Sequence, residues 1–176
     1  MPIKRPPMSY LAEALRSLQR QTLENWELLL LDSSPVDSEM DWEMLSVDKR
    51  FDIRLPSDYS LTEQLNWGLE QARSAIIARA DADDINEPWR LQEQFEGLSR
   101  RPDVAVLGTA IAMIDLNGRS LGVRSYPESC AAIRRAMRAS TRWQHRQSCS
   151  AESRFAAGGT DSPDDRHRIT NCGAAC

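Results

Sequence analysis

The sequence has no apolar run long enough to cross a lipid bilayer. Its longest apolar stretch, residues 104–114, is interrupted by Gly108 and Thr109, whereas a spanning helix needs about 20 predominantly apolar residues. The first eight residues are basic but contain three prolines and no apolar centre, which is unlike a secretory signal peptide. We therefore predict a cytoplasmic protein without a transmembrane segment.

Cysteine is scarce, and an excess of positive charge is lacking. The four cysteines (Cys130, Cys149, Cys172 and Cys176) all lie in the last third, so disulfides cannot cross-link the apolar first two thirds. Their spacing with the two histidines matches no closed zinc signature, which favours free thiols. With 22 basic and 26 acidic side chains, the chain is not expected to bind nucleic acid.

The 176 residues suffice for about one domain, but the charge divides them into two unlike segments. Residues 1–128 carry 14 basic and 22 acidic side chains, whereas residues 129–176 carry 8 and 4. Beyond residue 140 the large apolar side chains are Trp143, Phe155 and Ile169, too few to offset the entropy of ordering that segment. We predict a folded domain over residues 1–139 and a poorly ordered tail over residues 140–176.

Helical periodicity occurs in three places before residue 100. The first predicted helix covers residues 10–21 with Ser9 as its N-cap, the second follows a capping box that begins at Ser60, and the third is capped by Asn86. The predicted core-facing stripes of the second and third helices are Leu61, Leu65, Leu69 and Ala72, and Leu91, Phe95 and Leu98.

Short apolar runs alternate with these helices. Runs at residues 28–31, 51–55, 75–78 and 104–107 predict strands. Asn117 and Gly118 predict a hairpin turn that joins two further strands. The alternation of helices and strands is typical of an α/β fold, here a three-layer sandwich around a mostly parallel, doubly wound sheet.

Two of the predicted strands lead into carboxylates, and ligands bind beyond the carboxyl ends of parallel strands. Asp32 ends the strand at residues 28–31, and Asp81, Asp83 and Asp84 follow the strand at residues 75–78. In an extended segment Asp81 and Asp83 lie on one side with Cα atoms roughly 6 to 7 Å apart, and Asp84 points away. Two carboxylates at this spacing suit a hard divalent ion that keeps open positions for substrate phosphates.

Each of these features also has a simpler interpretation. An acid-rich turn before a helix is more often a solvated cap, and Asp32 alone would be an ordinary turn residue. Asn66 lies off the apolar stripe of its helix, where polar residues are usually solvated. Arg79 beside the acids is as well explained by charge balance as by phosphate contact.

Six blocks of sequence, taken in order, resemble the family 2 glycosyltransferases. They lie at residues 10–18, 21–32, 65–72, 77–85, 88–94 and 101–109, and the likeness covers roughly residues 10–135. These enzymes have the GT-A, Rossmann-like fold of nucleotide-diphospho-sugar transferases. Several spaced blocks in one order are more specific than any single motif.

The resemblance implies a metal-dependent transferase that moves a sugar from a nucleoside diphosphate sugar to a glycan or lipid-linked acceptor. Asp81 and Asp83 match the family's Asp-x-Asp motif, which binds Mg or Mn and the diphosphate. The metal would stabilise the departing nucleoside diphosphate as a Lewis acid. The other donor-binding positions implied are Asp32 at the nucleoside, Asp84 and Arg79 beside the motif, and Asn66 along the donor pocket.

The chain departs from the family at both ends. Residues 1–9 replace a first strand that ends in Pro-Val-Tyr-Asn and helps hold the base, so we expect residues 28–31 to lie at an unpaired edge. No residue matches the acidic catalytic base of the acceptor lobe, which leaves that base unidentified. We therefore expect an incomplete fold from a truncated or frame-shifted reading frame.

Two alternatives to an active transferase follow. One is a non-catalytic remnant that binds nucleotide sugar without transferring it. The other is a sugar-phosphate nucleotidyltransferase on a similar sheet, which is disfavoured because the glycine-rich phosphate loop expected near its N-terminus is missing.

Overall fold

A computed structural model of the chain describes residues 1–34, 48–54, 58–139 and 149–151. In this part of the chain helices and strands alternate as predicted, which confirms the α/β class. The elements, in chain order, are β1 (Pro2–Ile3), α1 (Met8–Gln19), β2 (Leu28–Asp32), β3 (Phe51–Arg54), α2 (Leu61–Gln71), β4 (Ile76–Ala78), α3 (Arg90–Arg100), β5 (Val106–Leu107), β6 (Ile111–Ile114), β7 (Ser120–Arg124), α4 (Cys130–Ala139) and β8 (Cys149–Ala151).

The first three strands form a parallel sheet in the order β1-β2-β3. Pro2 lies opposite Leu31, and Ile3 lies opposite Asp32. The predictions that the first strand is lacking and that residues 28–31 lie at an unpaired edge are therefore wrong. A strand this short carries no periodic signal, and β1 pairs through its backbone at an edge of the sheet, where proline is tolerated.

The remaining strands pair antiparallel. β8 lies between β4 and β5, and β6 pairs with β7 across the predicted hairpin. Gly118 occupies that turn with φ of 76°, a conformation that glycine adopts at little cost. Among the described strands, parallel pairing is thus confined to the β1-β2-β3 sheet, and β8 separates β4 from β5.

β8 belongs to the segment predicted to be poorly ordered. Its residues, Cys149–Ala151, bond to both neighbouring strands. The rest of residues 140–176 lies outside the described residues, so the division at residue 139 stays a prediction.

The main core lies between α1 and the parallel sheet. The buried side chains of α1 are Leu11, Ala14, Leu15 and Leu18, and they share a cluster with Ile3 and Leu30. Burying one leucine or isoleucine side chain of this cluster contributes about 1.5–3 kcal/mol to the free energy of unfolding. This apolar face accounts for the predicted helix. α1 begins at Met8, however, so the prediction that Ser9 is its N-cap is wrong. Pro7 caps it instead, and its carbonyl accepts from the amides of Tyr10 and Leu11.

The second helix begins with the predicted capping box. The Ser60 amide donates to the Glu63 carboxylate at 2.8 Å, and the Glu63 amide donates to the Ser60 hydroxyl at 3.4 Å. The predicted leucine stripe is partly wrong, because Leu61 is 53% exposed and Gln64 is buried. Gln64 occupies the position that faces the sheet.

The third helix differs from prediction in a similar way. It begins at Arg90, and Asn86 is a buried residue of the preceding loop rather than its N-cap. Phe95 is 43% exposed, whereas Gln94 is buried. In the sequence, Gln94 lies between Leu91 and Leu98, which are also buried. A polar residue thus faces the core where periodicity alone favoured an aromatic one.

None of the helices in the described ranges is both long and apolar enough to cross a membrane. The predicted cytoplasmic location stays a prediction.

Candidate functional site

Three carboxylates come together in the loop between β4 and α3. Asp81, Asp83 and Asp84 each offer one oxygen atom, and these atoms all lie within 4.8 Å of one another. The Asp84 amide donates to the Asp81 carbonyl at 3.4 Å, which closes a turn. The prediction that Asp84 points away is therefore wrong, because it assumed an extended segment and the chain turns here.

The donor set of this cluster fits a divalent metal ion. Mg²⁺ and Ca²⁺ bind oxygen ligands at about 2.0–2.6 Å, so two oxygens on one ion lie up to roughly 4 to 5 Å apart. The three carboxylate oxygens fall within that span. Asp83 is exposed and the other two are half-buried, an arrangement that leaves one side of the cluster open to a ligand.

Arg79 lies at the base of the same cluster. Its Nε donates to Asp81 Oδ1 at 3.2 Å, so the ion pair predicted by the charge-balance interpretation is present. β1 also lies near this loop, because Ile3 and Ala80 belong to the same buried core cluster. Burial lowers the pKa of the nearby Met1 amino group to about 5. The end of β4 is thus adjacent to the parallel sheet.

Asp32 lies at the carboxyl end of β2 and is buried. Its Oδ1 accepts from the Ser34 amide at 2.8 Å, the turn contact that its simpler interpretation predicts. It is also opposite Ile3 of β1. Asp32 therefore lies at the carboxyl ends of both β1 and β2.

A shallow cavity of about 160 Å³ opens beside β1, at the start of α2. Its lining comes from two segments of the chain: Pro2, Ile3, Lys4, Tyr59, Ser60, Leu61 and Gln64. Asn66, the remaining predicted site residue, is half-buried in α2. The structure thus joins Arg79, Asp81, Asp83 and Asp84 directly, and it places Asp32 and Asn66 on neighbouring elements.

Sequence reasoning missed the buried polar residues that support these loops. Gln64 Nε2 donates to the carbonyls of Ile3 and Leu31, both at 3.1 Å. Arg90 donates to Asn86 Oδ1 and to the Arg79 carbonyl. Neither Gln64 nor Arg90 has a signal in the hydrophobic pattern. Gln94 does, because it lies three residues after Leu91 and four before Leu98, on the face of α3 that turns to the core.

Curated relatives match roughly two thirds of the chain. An amylovoran biosynthesis glycosyltransferase of Erwinia amylovora is 31% identical over 116 residues, which are 62% of this chain and 42% of that protein. A UDP-Gal:alpha-D-GlcNAc-diphosphoundecaprenol beta-1,3-galactosyltransferase of Escherichia coli is 28% identical over 125 residues, which are 69% of this chain and 45% of that protein. The chain thus spans about half the length of these relatives.

Among solved structures, residues 1–349 of S. aureus TarS superimpose with a TM-score of 0.62 at 15% identity, covering 94% of this chain and 51% of that one. At this identity the likeness shows the fold alone, and it agrees with the predicted GT-A architecture. The family model described as glycosyl transferase family 2 matches residues 4–154. This match includes all the candidate site residues, and the chain belongs to glycosyl transferase family 2.

Proposed function

We propose that this chain binds a nucleoside diphosphate sugar and that the protein transfers its sugar to a glycan or lipid-linked acceptor. One observation carries the proposal: in a family 2 chain, three carboxylate oxygens lie within 4.8 Å of one another just beyond the end of β4. Carboxylates grouped in this way, with one side open, suit a metal ion that also holds phosphate oxygens.

Asp81, Asp83 and Asp84 would hold the divalent cation, Mg²⁺ or Mn²⁺. When bound, it supplies Lewis-acid stabilisation of the departing diphosphate. The chain's own contribution is orientation. Arg79 holds Asp81 through its Nε, and the hydrogen bond from the Asp84 amide to the Asp81 carbonyl keeps the third carboxylate with the other two.

The nucleoside would lie on the β1 and β2 side of the cluster. Asp32 is the proposed contact, because its Oδ2 is not needed for the bond from the Ser34 amide to Oδ1. The cavity beside β1, lined in part by Lys4 and Tyr59, lies at the same end of the sheet. Asn66 stays a weaker candidate on α2.

The acceptor is inferred from the names of the relatives. One is an amylovoran biosynthesis glycosyltransferase, and another acts on a GlcNAc-diphosphoundecaprenol. These names support a glycan or lipid-linked acceptor for the present protein. The catalytic base is not assigned among the residues that the structure describes. The second candidate function is donor binding without transfer. It differs from the first only in lacking the transfer of the sugar to an acceptor.

Calorimetric titration with UDP and GDP sugars, with and without Mn²⁺, tests the proposal. The wild-type chain should bind one class of donor only with the metal, and Asp83→Asn should remove that binding because the cation loses an anionic ligand. Asp103→Asn is the matched control, since Asp103 is an exposed acid outside the cluster. Unchanged binding by Asp83→Asn would refute the site, and sugar transfer to a lipid-linked acceptor would separate the transferase from the binding remnant.

A further inference from the structure

Arg90 contacts both ends of the loop that carries the three carboxylates. It is a buried residue, 4% exposed, at the start of α3. One terminal nitrogen of its guanidinium donates to the Arg79 carbonyl at 2.7 Å, and the other donates to Asn86 Oδ1. Residues 79 and 86 bracket the acid cluster, so one planar group spans the base of the loop.

The Asn86 end of this loop is also attached to α1. The Asn86 amide and its Nδ2 both donate to Ser17 Oγ, at 2.9 and 3.2 Å, and Ser17 Oγ donates to the Ala14 carbonyl at 2.6 Å. A hydroxyl has one proton and two lone pairs, so these three bonds use its full capacity. Because the apolar face of α1 packs in the main core, these hydrogen bonds attach the loop to a well-packed helix.

Gln21, two residues beyond the end of α1, adds a second connection to the start of α3. Its Nε2 donates to the Glu87 carbonyl at 2.7 Å, and its Oε1 accepts from the Leu91 amide at 2.9 Å. This side-chain bridge fixes the backbone on either side of Arg90. The guanidinium therefore projects from an anchored position rather than from a free helix end.

We propose that Arg90 is a positioning residue for the candidate metal and diphosphate site, an inference that rests on the proposed function. The Arg79 backbone, which accepts from Arg90, carries the side chain that donates to Asp81 Oδ1. Moving that backbone moves the partner of the first carboxylate. The rigid fork of an arginine can bind both ends of the loop at once, whereas a lysine ammonium is a single point of charge.

The test compares Arg90→Lys with wild type in binding Mn²⁺ and UDP. Free Mn²⁺ is measured by electron paramagnetic resonance, with and without UDP, at a temperature where thermal melting shows both proteins fully folded. Supporting groups of metal ligands typically change metal affinity by about 10- to 100-fold, and we expect a loss in that range. Arg100→Lys is the control, because Arg100 lies on the same helix in an exposed pair with Glu96.

Two further measurements keep the proposal falsifiable if Arg90→Lys folds poorly or if UDP is not the cognate nucleotide. Ser17→Ala removes the hydroxyl that binds Asn86 to α1 and should weaken Mn²⁺ binding several-fold. Hydrogen exchange in a peptide covering residues 80–86 should accelerate about tenfold in both variants, with the β2 amides unchanged, because the loop loses its attachment.

Unchanged Mn²⁺ affinity and unchanged exchange in the folded variants would overturn the proposal. A lower melting temperature with full affinity would do the same, since Arg90 would then serve stability alone. If Asp83→Asn leaves metal-dependent binding intact, the proposed function itself fails. The exchange of residues 80–86 then still decides whether Arg90 orders the loop.

Discussion

Gly68 of α2 lies directly against Leu31 of β2. A Cβ atom at Gly68 would lie 2.6 Å from Leu31 Cδ1, closer than carbon atoms approach without a shift. The helix therefore rests on the strand that leads to Asp32, through a position that has no side chain. This close approach sets the distance between α2 and the parallel sheet.

Gly68→Ala is expected to destabilise the protein. The better helix propensity of alanine would add about 1 kcal/mol, but overpacking against the buried Leu31 costs about 1–3 kcal/mol. Urea unfolding should show a net loss of about 1 kcal/mol. In a Leu31→Val background the same substitution should be neutral or stabilising. Gly108→Ala is the control, because nothing lies within 4 Å of its added Cβ.

Gln64→Met is expected to loosen the contact between β1 and β2. It keeps the side-chain volume but removes the two donors to the Ile3 and Leu31 carbonyls. Leaving buried acceptors with fewer partners costs about 1–3 kcal/mol, and we expect the lower half of that range because the Ile3 carbonyl also accepts from the Ser33 amide. Urea unfolding measures the loss. Gln71→Met, at an exposed position of the same helix, should change stability little.

Asp84→Asn is expected to weaken Mn²⁺ binding, although an extended chain would have placed this residue outside the site. The turn closed by its amide brings its carboxylate to within 4.8 Å of those of Asp81 and Asp83. Paramagnetic resonance should show roughly 10-fold lower affinity. An affinity equal to that of the Asp103→Asn control would show that Asp84 is only a turn residue.

Asp48 should stabilise the protein in a pH-dependent way. Bidentate hydrogen bonds from the Arg50 guanidinium, at 3.0 and 2.8 Å, outweigh burial and lower the pKa of Asp48 below its usual 3.8. The folded state thus favours the charged carboxylate, so the stabilisation is fully present above about pH 4 and is lost as the pH falls through the lowered pKa.

Asp48→Asn should therefore reduce the free energy of unfolding at pH 7 by about 1 kcal/mol or less, as ion pairs near the surface do. Denaturant unfolding from pH 7 to pH 2 measures the difference from wild type. That difference should shrink below pH 4. A difference that is constant down to pH 2 would mean that the effect does not come from the ionised carboxylate.

The C-terminal segment should divide into two parts with different effects on stability. Deleting residues 155–176, which lie beyond the family match to residues 4–154, should leave the melting temperature nearly unchanged. Deleting residues 149–176 also removes β8 and its bonds to β4 and β5, and should lower it by several degrees. Equal melting temperatures for the two deletions would show that β8 contributes nothing.

Local patterns in the sequence sufficed for several elements. The capping box of Ser60 and Glu63 and the turn at Gly118 depend on residues within a few positions, and both form as predicted. The run of four leucines predicts a buried strand wherever it is placed. Asp81 and Asp83 are two residues apart, so their proximity depends on no distant partner.

Tertiary structure alone decided the features that depend on distant partners. β1 and β8 are strands because neighbours supply backbone bonds, and their own two or three residues show no periodicity. Gln64 and Arg90 can be buried because backbone carbonyls of other segments accept hydrogen bonds from them. No hydrophobic pattern indicates this burial. Asp84 joins the site because the chain turns. Short-range propensities thus determined most of the helices and strands, whereas long-range backbone and side-chain hydrogen bonds determined the short strands β1 and β8 and which polar groups meet.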